Sequence, residues 1–192
     1  MLALGDGHGH AGLYNNDRGL MVLVIAFTWY MNYYISMNLL NTANYITSLV
    51  TSALKHETET AISIASFSDV TGSFNFTFML PTSSFSTQGL AINYYITLYP
   101  RSESSMIELM ANITVAASLG PITRVMRTTT LLYSSTQPYK ITAYNCVNRN
   151  RPVNLVNSTW LYQVPVNLSN YNCTWNSTDI QSGYAVISIS KG

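Results

Sequence analysis

The sequence predicts an α+β fold: a long hydrophobic N-terminal α-helix over residues 20–56, then an antiparallel β-sandwich of the Ig-like kind over residues 61–192. Three observations predict it. No charged residue occurs between Arg18 and Lys55. After Ala61 the apolar period switches from three- and four-residue steps to strict alternation. Turn signals such as Thr71–Gly72, Gly120–Pro121, Gln137–Pro138 and Ser182–Gly183 then divide the chain into short segments.

The helix reads in two halves. Leu20–Met31 is apolar on every side, the pattern of a segment that lies in lipid or among other apolar helices. As one helix, Leu20–Leu54 reaches about 50 Å, more than the ~30 Å core of a bilayer. The sequence therefore predicts a membrane span that continues beyond the membrane. In the second half Leu39, Ala43, Ile46, Val50 and Ala53 form a stripe between Asn, Ser and Thr residues, which predicts packing of one face on the outer domain. Lys55 and His56 suit a helix C-terminus. Trp29, Tyr30, Tyr33 and Tyr34 cluster as an aromatic belt does at a membrane surface.

The outer domain reads as strands. Ala61–Phe67, Ser73–Leu80, Leu90–Tyr99, Met106–Ala117, Arg124–Tyr133, Tyr139–Val147, Thr159–Val166 and Tyr184–Ser190 all fit. Phe74, Phe76 and Phe78 fall on one face of the second. Met106–Ala116 also fits a short helix, but Ile113 and Val115 favour strand. Cys146 and Cys173 are the only cysteines. In an exported domain two cysteines most often pair, here closing a loop worth about 3 kcal/mol; two free buried thiols are the alternative. Six Asn-x-Ser/Thr sequons stand at Asn75, Asn112, Asn157, Asn167, Asn172 and Asn176, and mark sites for N-linked glycans. No other cofactor is expected.

Composition removes several functions. Charged residues make up 9% of the 192-residue chain and the net charge is +1, so there is no basic field for nucleic acid and no trap for an acidic substrate. Ser, Thr, Asn and 14 Tyr fill the polar positions instead. Such a neutral surface suits packing against copies of itself, a cover of sugar, or an acidic medium. No nucleophile–base–acid set is present, and no enzymatic activity is expected. The histidines stand at positions 8, 10 and 56, and His56–Glu57 lacks the second His of a zinc-protease motif. Arg101 beside Glu103 and Glu108 predicts an ion pair rather than an acid–base pair. Asp6, His8 and His10 alternate in a Gly-rich segment without a fourth ligand, so no metal site is expected.

Residues 1–19 have no basic start and no apolar centre, unlike an ordinary secretory leader. They end in Arg18–Gly19, and the apolar run begins at Leu20. This arrangement resembles the processing site of type IV prepilins and archaellins, in which a short leader is removed after a Gly that follows a basic residue. The whole plan is similar: leader, hydrophobic helix, β-rich head. The archaeal branch is the nearer, because Val24 stands where bacterial pilins carry a glutamate. The resemblance implies cleavage between Gly19 and Leu20 by a prepilin peptidase. It implies residence in the cytoplasmic membrane, then extraction by pilus assembly machinery into an extracellular filament at the cell surface, for adhesion or cell–cell contact. The partner is then the chain itself in a helical homopolymer, whose core is Leu20, Met21, Val22, Leu23, Val24, Ile25, Ala26, Phe27, Trp29 and Tyr30. The second expectation is a membrane-anchored β-sandwich binding module that never polymerises, such as an archaellum or S-layer accessory protein.

Overall fold

In a computed structural model the described residues are 9–67, 72–80, 89–103, 106–135, 139–146 and 165–191, with side chains of the first helix described from Arg18 onward. The chain divides into two compact units, Met1–Asn38 and Leu39–Gly192.

One helix, α1 (Gly9–Ser66), runs for 58 residues, about 87 Å at the α-helical rise. It is longer at both ends than the sequence predicts. Gly9–Gly19, read as a separate leader, is helical and continuous with Leu20. At the other end, Ala61–Phe67 does not open a sheet; α1 passes His56 and stops at Ser66. The seven-residue pattern fits both periods, and the helical one prevails because it prolongs an existing stripe. Leu39, Ala43, Ile46, Val50 and Leu54 are buried, and Thr58, Ala61, Ile62 and Ala65 continue them at three- and four-residue steps. The hydroxyls along this half bond back to the preceding turn, as in Thr58 Oγ1 to Leu54 O (2.7 Å) and Thr47 Oγ1 to Ala43 O (2.7 Å). A helix can therefore carry many Ser and Thr residues without leaving their hydroxyls unsatisfied.

The rest of the second unit is two antiparallel sheets of four strands among the described residues. The strands are β1 (Ser73–Thr77), β2 (Leu90–Glu103), β3 (Met106–Leu119), β4 (Ile122–Ser135), β5 (Tyr139–Tyr144), β6 (Val166–Asn167), β7 (Cys173–Asn176) and β8 (Val186–Lys191), with a five-residue helix, α2 (Ser177–Gln181), before the last. The first sheet has the order β1–β8–β5–β6 and the second β4–β3–β2–β7. Met106–Leu119 is a strand throughout. The β3–β4 turn places Gly120 at φ 56°, a left-handed conformation that a side chain disfavours. Of the expected strand Thr159–Val166, Pro165 and Val166 lie inside the described residues, and Val166 belongs to a strand.

Alternation sorts the second sheet into two faces. Ile92, Tyr94, Ile96 and Leu98 of β2 and Ala111, Ile113, Val115 and Ala117 of β3 are buried. Ile187 and Ile189 of β8 and Ile141 and Ala143 of β5 supply the buried side of the first sheet. Phe78 and Trp175 sit among the largest fully buried side chains and meet edge to face at 5.9 Å. The Trp175 indole Nε1–H donates to Tyr144 O at 2.9 Å, and Cys146 is disulfide-bonded to Cys173. Both links join the first sheet to the second.

Candidate functional site

Position and exposure single out the segment Leu20–Tyr34 of α1. Its apolar side chains are open all round: Leu20 67%, Leu23 69%, Ile25 68%, Phe27 61% and Trp29 70% exposed, with Met21, Val22, Val24, Ala26 and Tyr30 open as well. Among the described residues none covers them. Burying large apolar side chains from water contributes roughly 1.5–3 kcal/mol each, so the thirteen apolar and aromatic residues of this run favour an apolar cover strongly. Within Leu20–Thr28 the one hydroxyl, Thr28 Oγ1, donates to Val24 O at 2.8 Å and so presents no unsatisfied donor to an apolar medium. Among the described residues this helix alone is long and apolar enough to cross a membrane.

Four aromatics follow at the helical spacing. Trp29 stacks on Tyr33 at 6.0 Å and Tyr30 on Tyr34 at 6.5 Å. The i, i+4 geometry makes these pairs, and the polar tips of Trp and Tyr suit a boundary between an apolar and a wet layer.

Gly19, the expected processing residue, lies within α1 without interrupting it. A Cβ built there would meet nothing within 4 Å. Glycine in a helix interior costs about 1 kcal/mol relative to alanine, and no packing among the described residues offsets that cost here.

The expected helix–domain stripe is buried at Leu39, Ala43, Ile46 and Val50. Cys146 and Cys173, 27 residues apart in sequence, form the disulfide. The sequon asparagines separate by environment. Asn75 on β1, Asn112 on β3 and Asn172 before β7 are exposed. Asn167 is half-buried and its Oδ1 accepts from Ser169 N at 2.9 Å. Asn176 caps α2: its Oδ1 accepts from Asp179 N at 2.8 Å, while Asp179 Oδ2 accepts from Asn176 N at 3.1 Å. Asn157 lies outside the described residues, and so do the side chains of Asp6, His8 and His10. Arg101 Nε lies 2.9 Å from Glu108 Oε2, the ion pair that the sequence suggests.

Sequence reasoning missed one feature of the second unit. His56, Glu57, Ala61 and Ile64 of α1 and Phe74, Phe76 and Met79 around β1 line a groove of about 270 Å3. Both carboxylate oxygens of Glu57 accept from Met79 N at 3.2 Å. Burial pushes the Glu57 carboxyl above its ordinary value, and the Met79 amide and neighbouring His56 pull against that rise. The alternation of Phe74 and Phe76 was the available signal, but the helix that forms the other wall was read as ending earlier.

No protein-family model, no curated protein sequence and no solved structure matches this chain.

Proposed function

We propose that the chain is the structural subunit of an extracellular filament of the type IV pilus kind, and that it polymerises through Leu20–Tyr34 of α1. One observation carries this reading: an apolar helix segment, exposed around its whole circumference, in a chain whose second unit has a complete core of its own. Lipid covers such a segment before assembly, and copies of the same segment cover it afterwards. Association along a screw axis gives an open-ended polymer, since each copy both offers and receives the apolar surface. The second unit, an Ig-like sandwich in this reading, forms the outer wall, where its inter-sheet disulfide suits an oxidising exterior.

The Gly19–Leu20 bond is the point of processing in this account. Gly19 supports it, because it has no packing role among the described residues and its lack of a side chain leaves the following bond open to a peptidase. Release of residues 1–19 would also remove Asp6, Asp17 and Arg18 from the end of the apolar segment before it enters a dry core.

A second reading keeps the same helix as a simple anchor for a β-domain that binds a partner at the cell surface. The length of the exposed run favours it: Leu20–Met37 spans about 27 Å, close to one bilayer core. Electron microscopy of fibres sheared from cells, with mass spectrometry of the N-terminus, separates the two. Fibres built of chains that start at Leu20 support the filament. Intact monomer released only by detergent, with no fibres, overturns it in favour of the anchor.

A further inference from the structure

We infer that the outer face of the β4–β3–β2–β7 sheet is covered by an oligosaccharide N-linked to Asn112. The inference rests on only one part of the preceding reading, namely that the second unit lies outside the cell.

The register places Asn112 in the middle of that face. Thr97 pairs with Thr174 on one side and with Asn112 on the other, and Asn112 pairs with Thr129, so one row of four polar side chains crosses β7, β2, β3 and β4. The opposite face of the same strands is the core, where Ala111 and Ile113 are fully buried. Asn112 therefore points outward because its two neighbours point inward, and it is exposed. Thr114, the hydroxyl residue of the sequon, lies on the same face two residues on, as strand geometry requires.

The surroundings of Asn112 give the independent reason. The row on one side holds Tyr95, Thr114 and Arg127; the row on the other holds half-buried Tyr99, buried Met110 and exposed Leu131. Tyr95 is 49% exposed, Leu131 40%, and Val125, one row further, 48%. Four adjacent rows, from Val125 to Leu131, carry a single charge among the described residues, Arg127. An open, nearly uncharged face with exposed apolar groups is the kind of surface that associates non-specifically unless something covers it. The side chain at its centre is a glycan acceptor, and a sugar chain attached there lies over Tyr95 and Leu131 alike. The other candidate within a strand of this sheet, Asn176, is half-buried and its Oδ1 is engaged in the α2 cap.

In the transfer step the amide nitrogen Nδ2 of Asn112 forms a bond to C1 of the first sugar. The bond from C1 to the phosphate oxygen of a lipid-phosphate-linked oligosaccharide donor breaks. The lipid phosphate leaves with the electron pair, and the proton lost from the amide passes to the solvent. No oxidant or reductant is involved.

The test is mass spectrometry of the protein recovered from its native cell surface. Trypsin releases Ser102–Arg124, in which Asn112 is the sole sequon, and His56–Arg101, in which Asn75 is. The expected result is a Ser102–Arg124 peptide heavier by an oligosaccharide, a gain kept in Thr114→Ser and abolished in Thr114→Val. A bare peptide in the wild type, or a heavy one in Thr114→Val, overturns the inference. External protease on intact cells distinguishes the two levels of failure. A bare peptide from a protease-accessible domain overturns the glycan alone, whereas a bare peptide from a protected domain also overturns the extracellular placement.

Discussion

The Trp175 indole donates its Nε1–H to the carbonyl of Tyr144 at 2.9 Å, from β7 in one sheet to β5 in the other. Trp175 is fully buried, and two residues before it Cys173 bonds to Cys146, two residues after Tyr144. The covalent and hydrogen-bonded links between the sheets thus stand side by side, and Phe78 closes the contact edge to face. Trp175→Phe keeps an aromatic ring but leaves the Tyr144 carbonyl without its donor and opens a small cavity. A loss of about 2–4 kcal/mol is expected. Urea denaturation followed by near-ultraviolet circular dichroism, with the disulfide intact, measures it.

Glu57 gives the second unit a definite pH dependence. Its carboxyl is pushed up from an ordinary value of 4.5, first by burial, so the folded state holds the proton more tightly than the unfolded state. Its contribution to stability is therefore full below pH 4.5 and falls as pH rises through that value to the folded one. Glu57→Gln still offers an oxygen to Met79 N but never ionises. Comparison of denaturation midpoints at pH 3 and pH 7 is expected to show the variant gaining on the wild type at the higher pH. Equal midpoint differences at the two pH values would contradict the assignment.

Gly19 tests the processing account separately from the fold. Gly19→Ala should leave the chain processed and strengthen α1 by about 1 kcal/mol. Gly19→Leu should strengthen the helix to a similar degree but block cleavage, because a large side chain then occupies the position that a peptidase reads. Immunoblotting of cell fractions for the two chain lengths measures this. Equal processing of both variants would remove Gly19 from any recognition role.

Much of this was legible in the amino-acid sequence for a simple reason. The absence of charge from Gly19 to Leu54 marks one long apolar helix, and the alternation in β2 and β4 is sustained enough to read as strand, whereas β3 leans on Ile113 and Val115. Short elements were not legible. In Ala61–Ser66 six residues satisfy both periods, and only the stripe inherited from Leu54 and Thr58 decides between them. Strand β7 has four residues, and its identity depends on pairing with Thr97 and Ile96, far away in sequence. The capping role of Asn176 needs Asp179 three residues on, a pairing that the glycan motif conceals. The apolar character of Leu20–Tyr34 is plain in the sequence, whereas its helical continuity with Gly9–Gly19 is concealed by the glycines before it.

The central claim is that Leu23 and its neighbours are kept from water by lipid or by sister helices. The native cysteines are tied in a disulfide, so a single Leu23→Cys thiol can be followed with a membrane-impermeant maleimide, using Thr123→Cys on the exposed edge of β4 as the control. In intact cells and in sheared fibres the account predicts rapid labelling at position 123 and none at position 23 until the sample is denatured. Equal labelling of both positions in a native, freely soluble monomer would contradict it.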